Sequence, residues 1–162
     1  MTVATFRQTC LLALLLAVAA PATALAVNPA MQKASLSLAA KGEAAAAKGE
    51  AARARQLLEE SIVADPANAH ALSLLARLYQ SQGKTPLARK YYAIALDVDP
   101  SAPDALLGAG EIDIAEGKPD DAGAKLRVLK STCPACRQTE ALERALSEKA
   151  MPGKSPVQVP HP

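Results

Sequence analysis

Two cysteines separated by two residues are the most reactive motif of the sequence, Cys133-Pro-Ala-Cys136. Such a pair can close into a local disulfide in an oxidising compartment, and closing so short a loop contributes about 2 kcal/mol in the chain-entropy model. The same spacing ahead of a helix occurs in thiol–disulfide oxidoreductases, where the helix amino terminus lowers the pKa of the first thiol. Those enzymes place the motif after a β-strand, and no strand pattern precedes Cys133. We therefore predict a disulfide between Cys133 and Cys136, with an oxidoreductase as the alternative.

The other residues of catalytic type are few and scattered. Histidine occurs only as His70 and His161, and no serine–histidine–aspartate set, phosphate loop or carboxylate pair accompanies them. A single cysteine pair supplies only two of the four usual metal ligands, and Arg137 stands where a c-type haem motif needs histidine. The sequence therefore predicts no catalytic residues, no metal site and no cofactor, and hence a protein that is not an enzyme.

The composition favours a helical fold. Of the 162 residues 37 are alanine, tryptophan is absent, and Phe6 and three tyrosines are the whole aromatic content. Alanine is the best helix former and a poor strand former, so an all-α fold packed through small side chains is expected. The 18 basic and 16 acidic residues form no basic stripe, and aromatic residues for base stacking are scarce. This balance argues against nucleic-acid binding.

Residues 1–26 have the pattern of a secretory signal peptide. Arg7 supplies the positive charge, an apolar run follows from Cys10 to Ala20, and Ala24-Leu-Ala26 is a small-residue cleavage site. No later segment is apolar enough to span a membrane. We expect an exported protein of bacterial type with no membrane insertion after cleavage, in the periplasm or, as the alternative, outside the cell.

Three residue types recur with one period of 34 residues. A proline, lacking an N–H, ends one helix, a glycine caps another, and an alanine lets the two helices of a pair approach closely. The period and its common phase predict a chain of helix–turn–helix units. The residues concerned are Pro66, Pro100 and Pro134; Gly49, Gly83 and Gly117; and Ala54, Ala88 and Ala122.

This pattern resembles the tetratricopeptide repeat, a helical hairpin of about 34 residues. The three units would span 35–68, 69–102 and 103–136, and the second carries the resemblance best. The first departs from the pattern at Lys41 and Ala45, and the third has Asp113 in place of the usual tyrosine. The matching residues of the second unit are Leu72, Leu75, Ala76, Tyr79, Ala88, Tyr92 and Pro100.

The resemblance implies a right-handed superhelix of three repeats, since stacked helix pairs bury their apolar faces against each other. Residues 27–34 would form a lead-in to the first repeat. Residues 137–150 are predicted to form a capping helix that shields the last apolar surface. The tail, 151–162, contains four prolines and is expected to be flexible.

The resemblance also implies a concave face lined by the first helix of each hairpin. His70 and Asp104 would lie at its edge. The residues expected on the face are Ala39, Glu43 and Ala46 from the first repeat; Ser73, Arg77 and Gln80 from the second; and Leu107, Glu111 and Ile114 from the third.

This face predicts a protein or peptide partner. Relatives that clamp a terminal carboxylate use several basic and amide residues there, whereas this sequence offers only Arg77 between Glu43 and Glu111. We expect a noncatalytic binding module or scaffold, of the kind that assists envelope or secretion complexes, for a partner of mixed or locally basic character. A homo-oligomeric structural protein, joined through the alanine-rich helix predicted over 36–48, is a further alternative.

Overall fold

The computed structural model describes residues 28–150, and within this range it contains seven α-helices and no strand. The signal-like segment 1–26, the proline-containing tail 151–162 and His161 lie outside the described residues. None of the described helices is long and apolar enough to cross a membrane. The helices are α1 (Pro29–Ala47), α2 (Ala51–Ala64), α3 (Ala69–Ser81), α4 (Thr85–Val98), α5 (Pro103–Ala115), α6 (Pro119–Thr132) and α7 (Arg137–Ala150).

The helices form three stacked hairpins, α1–α2, α3–α4 and α5–α6, with α7 packed on the last of them. The predicted all-α fold of three repeats and a capping helix is confirmed. The segment predicted as a lead-in belongs mostly to α1, which begins at Pro29. Asn28 explains this early start, because its side chain accepts a hydrogen bond from the N–H of Ala30 at 2.9 Å and so caps the helix.

Each hairpin turns at a glycine with positive φ. The backbone φ angles of Gly49, Gly83 and Gly117 are 78°, 71° and 74°, the left-handed conformation that glycine adopts without a steric penalty. In the first hairpin the N–H of Gly49 donates to Ala46 and that of Glu50 donates to Ala45, both at 3.0 Å. This is the double hydrogen bond of a Schellman motif, and the other two hairpins repeat it. The repeated glycine therefore fixes the same turn three times.

The connections between hairpins are set by the repeated prolines. Helix α2 ends at Ala64 and α4 at Val98, each followed by an extended aspartate that precedes proline. The carboxylate of Asp65 accepts from the N–H of Ala67 at 3.0 Å, and that of Asp99 from Ser101 at 2.9 Å. These Asx turns direct the chain into the next hairpin.

The core runs through the stack as one apolar cluster from α1 to α5, with a smaller cluster of Leu106, Leu129 and Leu142 under the cap. The repeated alanines Ala54, Ala88 and Ala122 are all completely buried, which lets the two helices of each hairpin pack closely. Gly110 provides a further close approach, since a Cβ there would lie 2.8 Å from the Leu142 side chain. The cap is thus fitted into a notch in α5.

A buried polar cluster joins the first two hairpins. The hydroxyls of Ser35 on α1 and Ser61 on α2 each donate to the other residue's backbone carbonyl at 2.8 Å. The side-chain amide of Asn68 donates to the Ser35 hydroxyl at 2.8 Å, and its oxygen accepts from Ala71 at the start of α3. Because all three side chains are buried and hydrogen-bonded, the cluster fixes the register of α1, α2 and α3.

Candidate partner-binding groove

The first helices of the three hairpins, α1, α3 and α5, line a groove that we call the concave groove. Its exposed and half-exposed residues are Glu43, Arg77, Gln80, Leu107 and Glu111. Between α1 and α3 it deepens into an apolar pocket of about 310 Å³. The floor of this α1–α3 pocket is made by Leu58, Leu74 and Leu78, with Glu43 and Arg77 at its walls.

A second pocket of about 170 Å³ lies between α3 and α5 and shares Arg77 with the first. Its other lining residues include Asp104, Leu107 and Glu111 from α5. Tyr92 reaches this α3–α5 pocket from α4 beneath the two helices, and its hydroxyl donates to Gln80 at 2.8 Å. Gly108 makes room for it, because a Cβ at that position would overlap the tyrosine ring and hydroxyl.

The charges in the groove are mostly negative. The guanidinium of Arg77 pairs with Glu43 across the α1–α3 pocket at 3.6 Å, and about half of each side chain remains exposed. Glu111 accepts a hydrogen bond from the Gln80 amide at 3.3 Å. Since Arg77 is already paired, Asp104 and Glu111 give the α3–α5 pocket its net negative character.

The predicted edge residues form an ion pair between the second and third repeats. The Nδ1 atom of His70 lies 3.4 Å from Oδ2 of Asp104, whose other oxygen accepts from Gln138 of the cap at 2.9 Å. The hydrogen bond to the carboxylate raises the pKa of His70, and the bonds from His70 and Gln138 lower the pKa of Asp104 to about 2. One carboxylate therefore connects α3, α5 and α7.

Three of the predicted face residues need correction. Ser73 is only 1% exposed and its hydroxyl donates to the backbone carbonyl of Ala69 at 2.7 Å, so it lies in the core instead of lining the groove. Ala39 is equally buried because it packs in the main apolar cluster. Ile114 is half-buried and packs against the smaller cluster under the cap, away from both pockets.

The remaining predicted residues are brought together as described, and Ala46 lies on the wall of the α1–α3 pocket. The sequence pattern did not mark Tyr92 and Gly108 as groove residues, nor Gln138 as the partner of Asp104. The repeat pattern marks Tyr92 only as a core position, and it says nothing about Gln138. Gly108, inside a helix and outside the repeated glycine positions, is the one signal that a close approach exists there.

A profile of the tetratricopeptide repeat matches residues 73–138, which span most of the second hairpin, the third hairpin and the start of the cap. Together with the three stacked hairpins, this match over 66 of the 162 residues shows that the chain has the fold of tetratricopeptide repeats.

Known proteins resemble this chain in sequence or in fold. Cellulose synthase operon protein C of Xanthomonas axonopodis pv. citri (strain 306) is 33% identical over 57% of this chain, and the match covers 7% of that protein's length. The second repeat domain of human RPAP3, solved with an HSP70 peptide, superposes with a TM-score of 0.62 at 23% identity, over 75% of this chain and 98% of that one. The Yersinia enterocolitica type III secretion chaperone SycD, solved with a peptide of the translocator YopD, gives 0.61 at 17%, over 75% and 93%.

The third repeat departs from the repeat pattern at Asp113, which is 2% exposed. Two cations compensate for its burial: Arg89 of α4 lies 3.1 Å away, and Lys125 of α6 contacts the other carboxylate oxygen. Arg89 also pairs with Glu116 at 2.8 Å. The acid thus replaces the tyrosine with a charged link between the second and third hairpins.

The cysteine pair occupies the third inter-hairpin turn. Cys133 stands where Asp65 and Asp99 stand in the first two turns, and Cys136 stands at the cap position of Asn68. Both thiols are free in the structure, and the Sγ of Cys136 donates to the carbonyl of Cys133 at 3.0 Å. The disulfide stays a prediction.

The pKa values of the two thiols are shifted in opposite directions, and the second thiol of the motif is the one whose pKa is lowered. Burial raises the pKa of Cys136, but hydrogen bonds from Cys133, from Thr139 and from the N–H of Gln138 outweigh it, so the pKa of Cys136 is lowered. The hydrogen bond with Cys136 raises the pKa of Cys133. The thiol with the lowered pKa is therefore Cys136, which directly precedes α7, and not the first thiol of the motif.

Proposed function

We propose that this chain is a noncatalytic protein-binding module that holds a segment of a peptide or protein partner in the concave groove. The observation that carries the proposal is the pair of adjoining pockets joined at Arg77, one apolar and one acidic. Their walls are stacked helices fixed by a continuous core, so little ordering would oppose binding on this side. The peptides present in the RPAP3 and SycD structures support this use of the fold.

We further propose that the module works after export, in the periplasm or outside the cell, and helps assemble an envelope or secretion complex. The signal-peptide pattern of residues 1–26 supports export. The similarity to a cellulose synthase operon protein and to a type III secretion chaperone supports an assembly role.

Charge reversal in the groove tests the binding function. Arg77→Glu breaks the ion pair with Glu43 and places a negative charge where the two pockets meet. Arg53→Glu is the matched control, since Arg53 is exposed on α2 and its guanidinium donates to Gln56 of its own helix at 3.4 Å. Crosslinking in the native envelope should capture the same set of partners, to the same extent, with the original chain and the control, and a changed set or amount with Arg77→Glu. Equal capture by all three chains would refute the assignment of the groove.

The lowered pKa of Cys136 favours one other candidate, a thiol–disulfide oxidoreductase. In that reaction the Cys136 thiolate attacks a substrate disulfide and forms a mixed disulfide, and Cys133 then displaces the second substrate thiol as the internal disulfide closes. A chain with both cysteines changed to serine would lose reductase activity if this function were correct. Under our proposal, that chain shows the same background activity and keeps its partner.

A homo-oligomeric structural role would use α1, whose Leu36 is 55% exposed. Sedimentation over a range of concentrations distinguishes it from the proposed module, which is expected to remain monomeric without its partner.

A further inference from the structure

The concave groove has a chemical polarity that selects its occupant. At the α1 end the α1–α3 pocket is floored by three leucines, and its volume of about 310 Å³ is that of a small ligand site. At the α5 end, the α3–α5 pocket presents the carboxylates of Asp104 and Glu111. These two chemistries lie side by side because both pockets share Arg77.

We infer that the partner segment places an apolar side chain in the α1–α3 pocket and a lysine or arginine against Asp104 and Glu111. This inference rests on the proposed function and names the chemistry of its ligand.

The charge expected on the partner's polar anchor depends on which charged groups of the groove are already paired. Among the described residues, the groove contains three carboxylates, Glu43, Asp104 and Glu111, against the guanidinium of Arg77 and the imidazole of His70. Arg77 is engaged by Glu43, and Asp104 by His70 and Gln138, whereas among the described residues Glu111 bonds to the neutral amide of Gln80. An incoming cation would therefore gain the carboxylate of Glu111, whereas an incoming carboxylate would be repelled by it.

The spacing of the two anchors follows from the packing of the helices. Neighbouring helices lie about 8–10 Å apart, and an extended peptide advances about 3.3 Å per residue. The apolar and the cationic residue should therefore stand about three positions apart in an extended partner segment. Either the apolar or the cationic residue can come first in the partner segment, because a segment bound in either direction brings one anchor to each pocket.

Short random peptides displayed on phage and selected on the purified chain provide the probe. Lysine or arginine should be enriched at a fixed spacing from a leucine, isoleucine, valine, phenylalanine or methionine. A selected peptide should bind the Glu111→Lys chain about fivefold to tenfold more weakly than the original chain. The Glu60→Lys chain is the control, because Glu60 is exposed on α2 and contacts Gln56 of the same helix. Replacing the peptide's lysine by glutamate should reverse the preference, giving tighter binding to Glu111→Lys.

The contrary outcomes separate the two proposals. Selection of acidic peptides whose binding strengthens in Glu111→Lys would overturn the cationic anchor while leaving the groove function intact. Selected peptides that are indifferent to both Glu111→Lys and Arg77→Glu, or the absence of any selected peptide, would overturn the groove function as well. A concentration-dependent dimer that Glu111→Lys abolishes would show that the occupant of the groove is a second copy of this chain. That result would overturn the proposal that the groove holds a segment of a different protein. Circular dichroism of each variant checks that it is folded.

Discussion

Changing Gly108 to alanine should destabilise the protein, although the same change in an open helix position stabilises. Alanine is favoured over glycine in a helix interior by about 0.5–1 kcal/mol. At residue 108, however, the new Cβ would overlap the ring and hydroxyl of Tyr92, which is only 2% exposed and cannot move freely. Overpacking of this kind costs about 1–3 kcal/mol, and displacing the hydroxyl from Gln80 adds about 1 kcal/mol. We expect a net loss of about 2 kcal/mol in the free energy of unfolding.

Urea denaturation followed by circular dichroism measures this change, and Gly123→Ala is its matched control. Gly123 lies within α6, and a Cβ on it would meet no atom of another residue within 4 Å. Alanine there should therefore raise the free energy of unfolding by about 0.5–1 kcal/mol. In a Tyr92→Leu chain the overlapping atoms are absent, so Gly108→Ala should lower the free energy of unfolding much less in that background than in the original chain. If Gly108→Ala were as stable as Gly123→Ala, the close packing of Tyr92 under α5 would be refuted.

Three further changes test the contacts between repeats. Asp113→Asn removes the carboxylate that Arg89 and Lys125 share, although Arg89 keeps Glu116, and should lower the free energy of unfolding by about 1–3 kcal/mol, which urea denaturation detects; an unchanged midpoint would contradict the charged link. Ser61→Ala removes its side-chain bonds with Ser35 and should cost about 1–2 kcal/mol in the same assay, whereas Ser37→Ala on the exposed face of α1 should change little. The His70–Asp104 pair should contribute about 1 kcal/mol after allowance for its partial exposure, fully present between about pH 4 and pH 6.5. The contribution is lost above that window as His70 deprotonates through its raised pKa, and below it as Asp104 protonates towards pH about 2; a pH profile identical to that of Asp104→Asn would show no coupling.

The fold was predictable because each repeated residue has a local physical role. Gly83 must take a positive φ, Pro100 must follow a helix end, and Ala88 must be small, and each of these demands can be recognised without knowing the rest of the structure. The register of the repeat placed Glu43 and Arg77 on one face, where the structure shows them as an ion pair.

The groove itself was less predictable, because side chains at equivalent positions of the repeat are not buried to the same extent. Ser73 has the register of a face residue, yet the close approach of neighbouring helices buries it and its hydroxyl turns back to its own helix. Tyr92 has the register of a core residue, yet the absence of a side chain at Gly108 lets its hydroxyl reach the groove. The burial of the Asp113 carboxylate is explained by its ion pairs with Arg89 and Lys125, which come from other helices. These outcomes depend on which side chains meet across helices, and a single helical pattern does not contain that information.

The tyrosine beneath α5 gives the protein an optical reporter of its own. The sequence has no tryptophan, and the other two tyrosines, Tyr79 and Tyr91, stack on each other with ring centroids 5.5 Å apart. Tyr92 alone among them lines the α3–α5 pocket. Ultraviolet emission of the unlabelled chain should therefore change when a ligand lacking aromatic groups fills that pocket, and a Tyr92→Phe chain provides the blank for the titration.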